Sequence, residues 1–235
     1  MALLDLARNP MGSKGCAHLA SALKENNTLE TLLLDCCGID SGGAAALGSM
    51  LSVNDSLLVL DLADNSLLSE GAAGLSLGLS SNMRLQKLNL TNTGLGVKSS
   101  TPLANIVGSN KSLMSLNLSH NQLRSAGTEA LSKTLSDNLT LTSIDLSFNS
   151  IDLPGVSALT AALSSTASDK SHPLDLKLLG NTVPNGPETQ AVLQPGLARS
   201  KIRWNHDKME ESDVSMWSKA EESGSDIKPM GRRPR

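Results

Sequence analysis

The chain has 235 residues and a formal net charge of -3, and aromatic residues make up only 1% of it. This nearly neutral balance gives no electrostatic reason to expect nucleic acid as a partner. No apolar run reaches the roughly 18 residues that span a bilayer, and Asp5 and Arg8 interrupt the first apolar stretch, unlike a secretory signal. We therefore expect an intracellular, cytoplasmic protein that does not bind membranes.

One short phrase recurs along the chain at a fixed interval. It reads LETLLLDCCGI from Leu29, LLVLDLADNSL from Leu57, LQKLNLTNTGL from Leu85, LMSLNLSHNQL from Leu113 and LTSIDLSFNSI from Leu141. Each copy starts 28 residues after the previous one, and one step back from Leu29 reaches MALLDLARNPM at Met1. A fixed period of this length is typical of a solenoid, in which each repeat packs against its neighbours.

Each repeat predicts one strand, one turn and one helix. In LMSLNLSHN, the alternation places Leu116 and Leu118 toward the core. The Asn that follows is expected to bond the turns of stacked repeats, with Cys37 and Thr93 as smaller donors in two copies. Apolar residues four apart after a Gly then predict a helix. We expect each helix to end at an Asn in the left-handed conformation, namely Asn26, Asn54, Asn82, Asn110 and Asn138.

The pattern L-x-x-L-x-L-x-x-N/C-x-L, followed by G-x-x-x-L-x-x-x-L, resembles the leucine-rich repeat of the ribonuclease-inhibitor-like class. The resemblance covers about residues 1–184. It implies an α/β solenoid, a horseshoe with parallel strands on the concave face and helices on the convex face, built from about six 28-residue repeats plus a terminal strand. Similar arrays occur in NOD-like receptors and in the Ran GTPase-activating protein, and they bind proteins through the inner or rim surface.

The sequence also predicts where the repeat array is irregular. The fourth helix should start late, near Pro102, and leave a dent in the convex face, because Pro is tolerated only in a first helical turn. We expect a repeat domain at residues 1–195, closed by a last strand at 174–179 and a cap helix at 188–194. A disordered polar tail should follow at residues 196–235, in which Trp204 and Trp217 are candidates for a short binding motif.

The first repeat begins at Met1 without a polar capping segment, so Leu4 and Leu6 should border an open edge. Either the sequence is part of a longer array, or another molecule covers this edge. An open strand edge invites pairing, so edge-to-edge self-association through this repeat is a further expectation.

A few residues are of the types that carry out catalysis or bind metals. Ser119, His120 and Asp145 are the residue types of a hydrolase triad, but an open concave face offers no oxyanion pocket. Three cysteines fit no metal-ligand spacing. We therefore predict no enzymatic activity, no cofactor and no metal.

The concave face is the predicted binding surface. Its first half is acidic, its middle is rich in amides and an aromatic residue lies near its end, which suits a protein partner with a basic surface. The predicted partner-binding residues are Asp35, Asp61, Asp64, Asn89, Asn92, Asn117, His120, Asp145 and Phe148.

The sequence thus predicts a non-enzymatic protein-protein interaction module that binds its partner through the concave face. Two alternatives follow from the resemblance. The chain could regulate a small GTPase as the Ran GTPase-activating protein does, which an assay of stimulated GTP hydrolysis would detect. It could also be the sensing end of a NOD-like receptor, although no phosphate-loop G-x-x-x-x-G-K-S/T occurs in this sequence.

Overall fold

The computed structural model describes residues 2–165, 174–197 and 200–204, and all structural statements below concern these residues. They contain eight parallel strands in one sheet, whose order from β1 to β8 follows the chain. The strands are β1 Ala2–Asp5, β2 Leu29–Leu33, β3 Val59–Asp61, β4 Lys87–Asn89, β5 Ser115–Asn117, β6 Ser143–Asp145, β7 Leu174–Lys177 and β8 Ser200–Arg203. The helices are α1 Gly12–Leu23, α2 Ser41–Leu51, α3 Leu68–Leu79, α4 Ser100–Ser109, α5 Arg124–Leu135, α6 Leu153–Ser165 and α7 Pro187–Leu197.

This alternation of strand and helix is a leucine-rich repeat solenoid, as the sequence predicts. Repeat n contains strand βn and helix αn. The core lies between the two layers, where strand residues such as Leu116 and Leu118 and helix residues such as Leu47 and Leu75 are 0–1% exposed. Leu60, Leu88 and Leu116 pair across neighbouring strands at the 28-residue step. Ile144 pairs with Leu176, a step of 32, so this repeat is four residues longer than the others.

The turn after each strand is stabilised by the predicted ladder of Asn side chains. Asn121 is 5% exposed and donates to the carbonyl of Leu90 in the preceding repeat at 2.9 Å and to that of Leu118 in its own at 3.0 Å. Its oxygen accepts the amides of Thr93 and Leu95. One buried amide therefore satisfies backbone groups of two repeats, which buried turns require.

A second ladder of Asn side chains runs along the opposite end of the repeats, and here the prediction of left-handed helix ends was wrong. Asn110, at the end of α4, is extended with φ -72 and ψ 135. Its side chain donates to the carbonyls of Leu79 and Asn82, each at 2.8 Å, and accepts the amide of Leu113 at 2.7 Å. These Asn residues therefore connect helix ends to the following strands instead of reversing the backbone. Asn54, Asn82 and Asn138 make equivalent bonds.

The repeats alternate between two turn geometries, a feature that the sequence analysis missed. In repeats 1, 3 and 5 the residue that opens the helix has positive φ, whereas in repeats 2, 4 and 6 the residue with positive φ lies two positions earlier in the repeat. The first set is Gly12, Leu68 and Arg124, and the second is Gly38, Gly94 and Ser150. Members of each set are 56 residues apart, as 68 minus 12 and 94 minus 38 show. The structural unit is therefore a pair of repeats.

This alternation is compatible with Cys37 and Thr93 in place of Asn in the turn ladder, although repeat 6, with the same turn geometry, keeps Asn149. Asn65 and Asn121, in odd repeats, accept amides from the even repeats before them. In repeats 2 and 4, the side chain at the equivalent position only donates hydrogen bonds. A thiol or hydroxyl is sufficient for this: Cys37 Sγ donates to the carbonyl of Leu6 at 3.1 Å, and Thr93 Oγ1 to that of Leu90 at 2.8 Å.

Two elements depart from a regular repeat. A 3-10 turn at Val97–Ser99 precedes α4, so this helix begins late and has Pro102 in its first turn, as predicted. Helix α7 extends to Leu197, beyond the predicted cap helix. Strand β8 then pairs with β7, so residues 200–203 belong to the sheet and not to a polar tail. Residues 205–235, with Trp217, lie outside the described residues.

Candidate functional site

A column of left-handed residues runs along one rim of the concave face, at the ends of the strands. Seven residues with φ between 51° and 63° occupy the equivalent position of successive repeats. We call them the left-handed column: Arg8, Cys36, Asp64, Asn92, His120, Phe148 and Gly180. Except for Gly180, which has no side chain, all carry exposed side chains. Four predicted partner-binding residues lie in this column, namely Asp64, Asn92, His120 and Phe148.

Four other predicted partner-binding residues bond to their own backbone. In Asp61, Asn89, Asn117 and Asp145 a side-chain oxygen accepts the backbone amide two residues later, at 2.9–3.1 Å. Asp61 and Asn89 are only 7% and 5% exposed, and Asn89 Nδ2 donates to Asp61 Oδ2 at 3.0 Å. All four groups fix the strand ends; Asp61 and Asn89 offer little surface to a partner, whereas Asn117 and Asp145 are half-buried.

The acidic half of the face concentrates negative charge around Asp35, Asp61 and Asp64. Burial raises the pKa of Asp61, and the carboxylates of Asp35 and Asp64 raise it further, while bonds from Ala63 and Asn89 oppose the shift. Burial also raises the pKa of Asp35, against the nearby Arg8, whose Nε lies 3.9 Å from Asp35 Oδ2. The carboxylates thus disfavour one another's charge, and a cation from a partner would relieve that cost.

The other half of the left-handed column carries a pair of stacked rings. The rings of His120 and Phe148 lie 4.3 Å apart between centroids with 13° between their planes. Phe148 is nevertheless 41% exposed. A Cβ at Gly180 would approach Phe148 Cε1 to 2.2 Å, so the ring lies directly against the Gly180 backbone. Gly180 is a site residue that sequence reasoning missed, although it stands one column position after Phe148.

The residues of the considered hydrolase triad have different partners. Ser119 Oγ lies 3.2 Å from Thr91 Oγ1, and His120 stacks on Phe148. Asp145 accepts the amide of Ser147. The hydroxyl, imidazole and carboxylate therefore do not form a chain of hydrogen bonds in the structure.

The convex face has one groove of interest, but it does not lie at the predicted place. A groove of about 380 Å³ lies between α3, α4 and α5, and its lining includes Leu77, Asn105 and Thr134. Pro102 does not line this groove, so the groove is not the dent expected at the start of α4. Leu77 is 78% exposed at its edge.

Neither metal-ligand clusters nor membrane-spanning helices occur in the part of the chain that the structure describes. No group of three or more His, Cys, Asp or Glu side chains in this part of the chain could hold a metal ion. Likewise, none of the helices there is long and apolar enough to cross a membrane.

Comparison with known proteins supports the fold. The family model described as Leucine Rich repeat matches residues 25–48, 109–132 and 137–159. No curated protein sequence matches the chain. Among solved structures, leiomodin-1 actin-binding site 2 is 19% identical, with a TM-score of 0.51, over 59% of this chain and 81% of that one. The tropomodulin C-terminal domain of Caenorhabditis elegans is 15% identical, with a TM-score of 0.52, over 66% of this chain and 92% of that one.

Proposed function

We propose that this leucine-rich repeat protein is a non-enzymatic module of the cytoplasm that binds a partner protein through the concave face. The observation that supports this best is the left-handed column, which presents six different side chains at the surface while the leucine core stays buried. Interfaces are enriched in aromatic side chains surrounded by polar groups, and the column combines the His120–Phe148 stack with Asn92 and Asp64.

The partner should carry a basic surface that meets the acidic half of the face. Asp64 is exposed, and the carboxylates of Asp35 and Asp64 lie near enough to Asp61 to raise its pKa. Complementary charge accelerates association and excludes acidic competitors, and its contribution falls as salt is raised.

The test is capture of proteins from cell lysate by the intact chain and by an Asp64→Lys, Phe148→Ala variant, followed by mass spectrometry. Both positions are exposed, so the variant should fold, whereas replacing the buried Asp61 would disturb the strand end. We expect at least one protein to be captured by the intact chain and lost from the variant.

A matched control makes the same chemical changes on the helix layer. Glu129→Lys and Leu77→Ala reverse one exposed acidic charge and remove one exposed apolar side chain on α5 and α3. The control should retain the partner that the concave variant loses. Equal capture by the intact chain and the concave variant, or loss from both variants, would contradict binding at the left-handed column.

Actin is a defined candidate to include in this test, because one fold neighbour is named as an actin-binding site of leiomodin-1. Cosedimentation of the chain with actin filaments, with the same two variants, measures this directly. Retention of the chain in the supernatant at every actin concentration would remove filamentous actin from the candidates.

Self-association through the first repeat is a separate proposal. Strand β1 stands at the end of the sheet order, and Leu3 on it is 48% exposed. Light scattering of the intact chain and of a Leu3→Lys variant over a range of concentrations tests the proposal. A mass that rises with concentration only for the intact chain would support pairing at this edge.

A further inference from the structure

The ring of Phe148 is held in place on both of its faces. His120 stacks on it at 4.3 Å, and the backbone of Gly180 lies against it on the side of the following repeat. The two rings therefore form one stacked pair, and the free face of the pair is the face of His120 turned away from Phe148. Asn92 comes before His120 in the left-handed column and Phe148 comes after it, so Asn92 lies on the side of this free face.

The groups beyond this face are hydrogen-bond acceptors. Asn92 Nδ2 donates to Asp64 Oδ1 at 2.7 Å, and because a carboxylate only accepts, this bond fixes which amide atom is the nitrogen. Asn92 Oδ1 and Asp64 Oδ2 take no part in this bond, and no group of the described residues donates to either oxygen. Both residues are exposed, so a partner can reach these oxygens.

We propose that the free face of His120, with Asn92 and Asp64 beside it, binds the guanidinium group of an arginine on the partner protein. This proposal rests on the proposed function and names one side chain of the partner. A guanidinium is planar and stacks on aromatic rings, and it has five donors and no acceptor. Its plane would continue the His120–Phe148 stack while its edge donates to the two oxygens, and its charge would compensate the acidic half of the face.

Other side chains suit this arrangement less well. A lysine carries a compact charge that does not stack as a plane. A phosphate or carboxylate would meet two acceptor oxygens and the acidic residues beyond them. A neutral aromatic ring could stack on His120 but would leave Asp64 without a cation.

The experiment uses the blocked tripeptide Gly-Arg-Gly as the probe and the blocked peptide Gly-Lys-Gly as its comparison. Phe148 is the single Phe of the chain, so ring-labelled phenylalanine gives NMR signals from one site in the intact protein. We expect the arginine peptide to shift these signals with an affinity on the order of millimolar. The lysine peptide should bind about two- to five-fold more weakly, and added salt should weaken both.

Two variants test the two parts of the site. Asp64→Asn keeps the shape of the side chain and removes its charge, and it should weaken binding of the arginine peptide about two- to five-fold. His120→Ala removes the stacking face and should abolish the saturable shift. Glu129→Gln, an isosteric change at an exposed acid on α5, is the matched control and should bind the peptide as the intact chain does.

The result that overturns the proposal is equal binding of the two peptides, or binding of the arginine peptide that Asp64→Asn leaves unchanged, or no shift at all. These results differ from failure of the proposed function. If the lysate partner is lost from the concave variant but the arginine peptide does not bind, the concave interface stands and the arginine site is wrong. If the peptide binds at His120 but the partner is captured equally by both variants, the arginine site stands and the partner interface lies elsewhere.

Discussion

Six residues other than glycine adopt the left-handed conformation in the left-handed column. Such a backbone costs about 1–3 kcal/mol at each residue, so the surrounding structure must impose it. The bonds that do so are regular: the amide of His120 donates to the carbonyl of Ser147, and that of Phe148 to Leu179. The column is thus fixed by neighbouring backbone, and its side chains are left to contact one another or a partner.

Gly180 should be needed for the position of Phe148 more than for the fold. A Gly180→Ala change places a Cβ 2.2 Å from Phe148 Cε1, so the ring must move and the stack with His120 should break. Gly38→Ala is the matched control, because Gly38 also has positive φ, at 69°, with nothing within 4 Å of the added Cβ. Both changes should lower stability by about 1 kcal/mol or more.

Only Gly180→Ala should change the ring signals of Phe148 in NMR spectra and weaken partner capture. If the two variants lose stability but leave the same Phe148 signals, the glycine does not position the ring.

The three cysteines should differ sharply in reactivity. Burial raises the pKa of Cys16 to about 12 and also raises the pKa of Cys37, and the thiolate is the reactive form. Cys36 is exposed in the left-handed column. We expect iodoacetamide at pH 8 to modify Cys36 alone in the folded protein, as mass spectrometry of peptides would show. Rapid modification of Cys37 would mean that the turn ladder opens in solution, since its thiol bonds to the carbonyl of Leu6.

The sequence analysis named four of the seven residues of the left-handed column, but it did not separate exposed residues from those that bond to their own backbone. Asp61 and Asp64 look equivalent as acidic residues beside a strand, yet one is buried and bonded to Asn89 while the other is exposed. The distinction depends on which direction the backbone turns after the strand, and the sequence pattern does not encode the positive φ of Asp64. Gly180 was missed because a search for polar and aromatic groups passes over a residue without a side chain.

At the scale of elements, helices α2 and α3 pack closely against each other through glycines. A Cβ at Gly78 would lie 1.9 Å from the carbonyl oxygen of Gly48, and a Cβ at Gly48 would lie 2.1 Å from that of Gly74. The obstructing atoms belong to the backbone, so rotation of a side chain cannot remove the clash.

Gly78→Ala should therefore push the two helices apart and lower the free energy of unfolding by about 1–3 kcal/mol. Gly96→Ala is the control, because a Cβ there meets nothing within 4 Å and Gly96 does not have positive φ. That change should stay within about 0.5 kcal/mol of the unaltered chain. Chemical denaturation measures both variants, and equal stability of the two would show that the helices can adapt at this contact.

Asp40 and Asp152, at the helix starts of repeats 2 and 6, should make the stability of the protein depend on pH. The hydroxyl of Ser125 and the amide of Gly155 hold the pKa of Asp152 below its ordinary value. Ser13 and the amides of Gly43 and Gly42 do the same for Asp40. A carboxyl with a depressed folded-state pKa stabilises above its unfolded value, near pH 4, and this contribution is lost as pH falls through the folded value.

Asp152→Ala should therefore lower the thermal midpoint at pH 7, and its difference from the unaltered chain should shrink at pH 3. Glu129→Ala, at an exposed acid on α5, is the control and should show little difference at either pH. Circular dichroism at both pH values measures this. A difference for Asp152→Ala that is as large at pH 3 as at pH 7 would contradict the role of the charged carboxylate.

For the whole molecule, the 28-residue period predicted a solenoid, and the resemblance of each repeat to the leucine-rich repeat implied its class. The 28-residue spacing fixes which residues pair across the sheet, and Leu60, Leu88 and Leu116 do so. It missed the two-repeat unit, although the signal was present in Cys37 and Thr93, which are 56 residues apart. It also missed β8, because the short SKIR segment follows no leucine period.

The two-repeat unit makes a prediction about deletions. Removing residues 85–140 takes out repeats 4 and 5 and still joins an odd repeat to an even one. Removing residues 85–112 takes out repeat 4 alone and joins two odd repeats, whose turn geometries do not alternate. Both deletions keep the contact between α2 and α3.

The shorter deletion should be the less stable variant, although it removes half as many residues. Guanidinium denaturation followed by circular dichroism compares the two. Greater stability of the variant that lacks residues 85–112 would show that alternation of the turns contributes little to stacking.

The left-handed column also bears on how such a protein can change its partner. Its seven positions hold seven different residue types: Arg8, Cys36, Asp64, Asn92, His120, Phe148 and Gly180. The buried leucines and Asn ladders impose the fold without these side chains, so under the proposed function substitutions here can alter recognition without the loss of core packing. On this proposal, evolution can change the binding specificity of the chain while its architecture stays the same, and new binding activities can arise one exposed residue at a time.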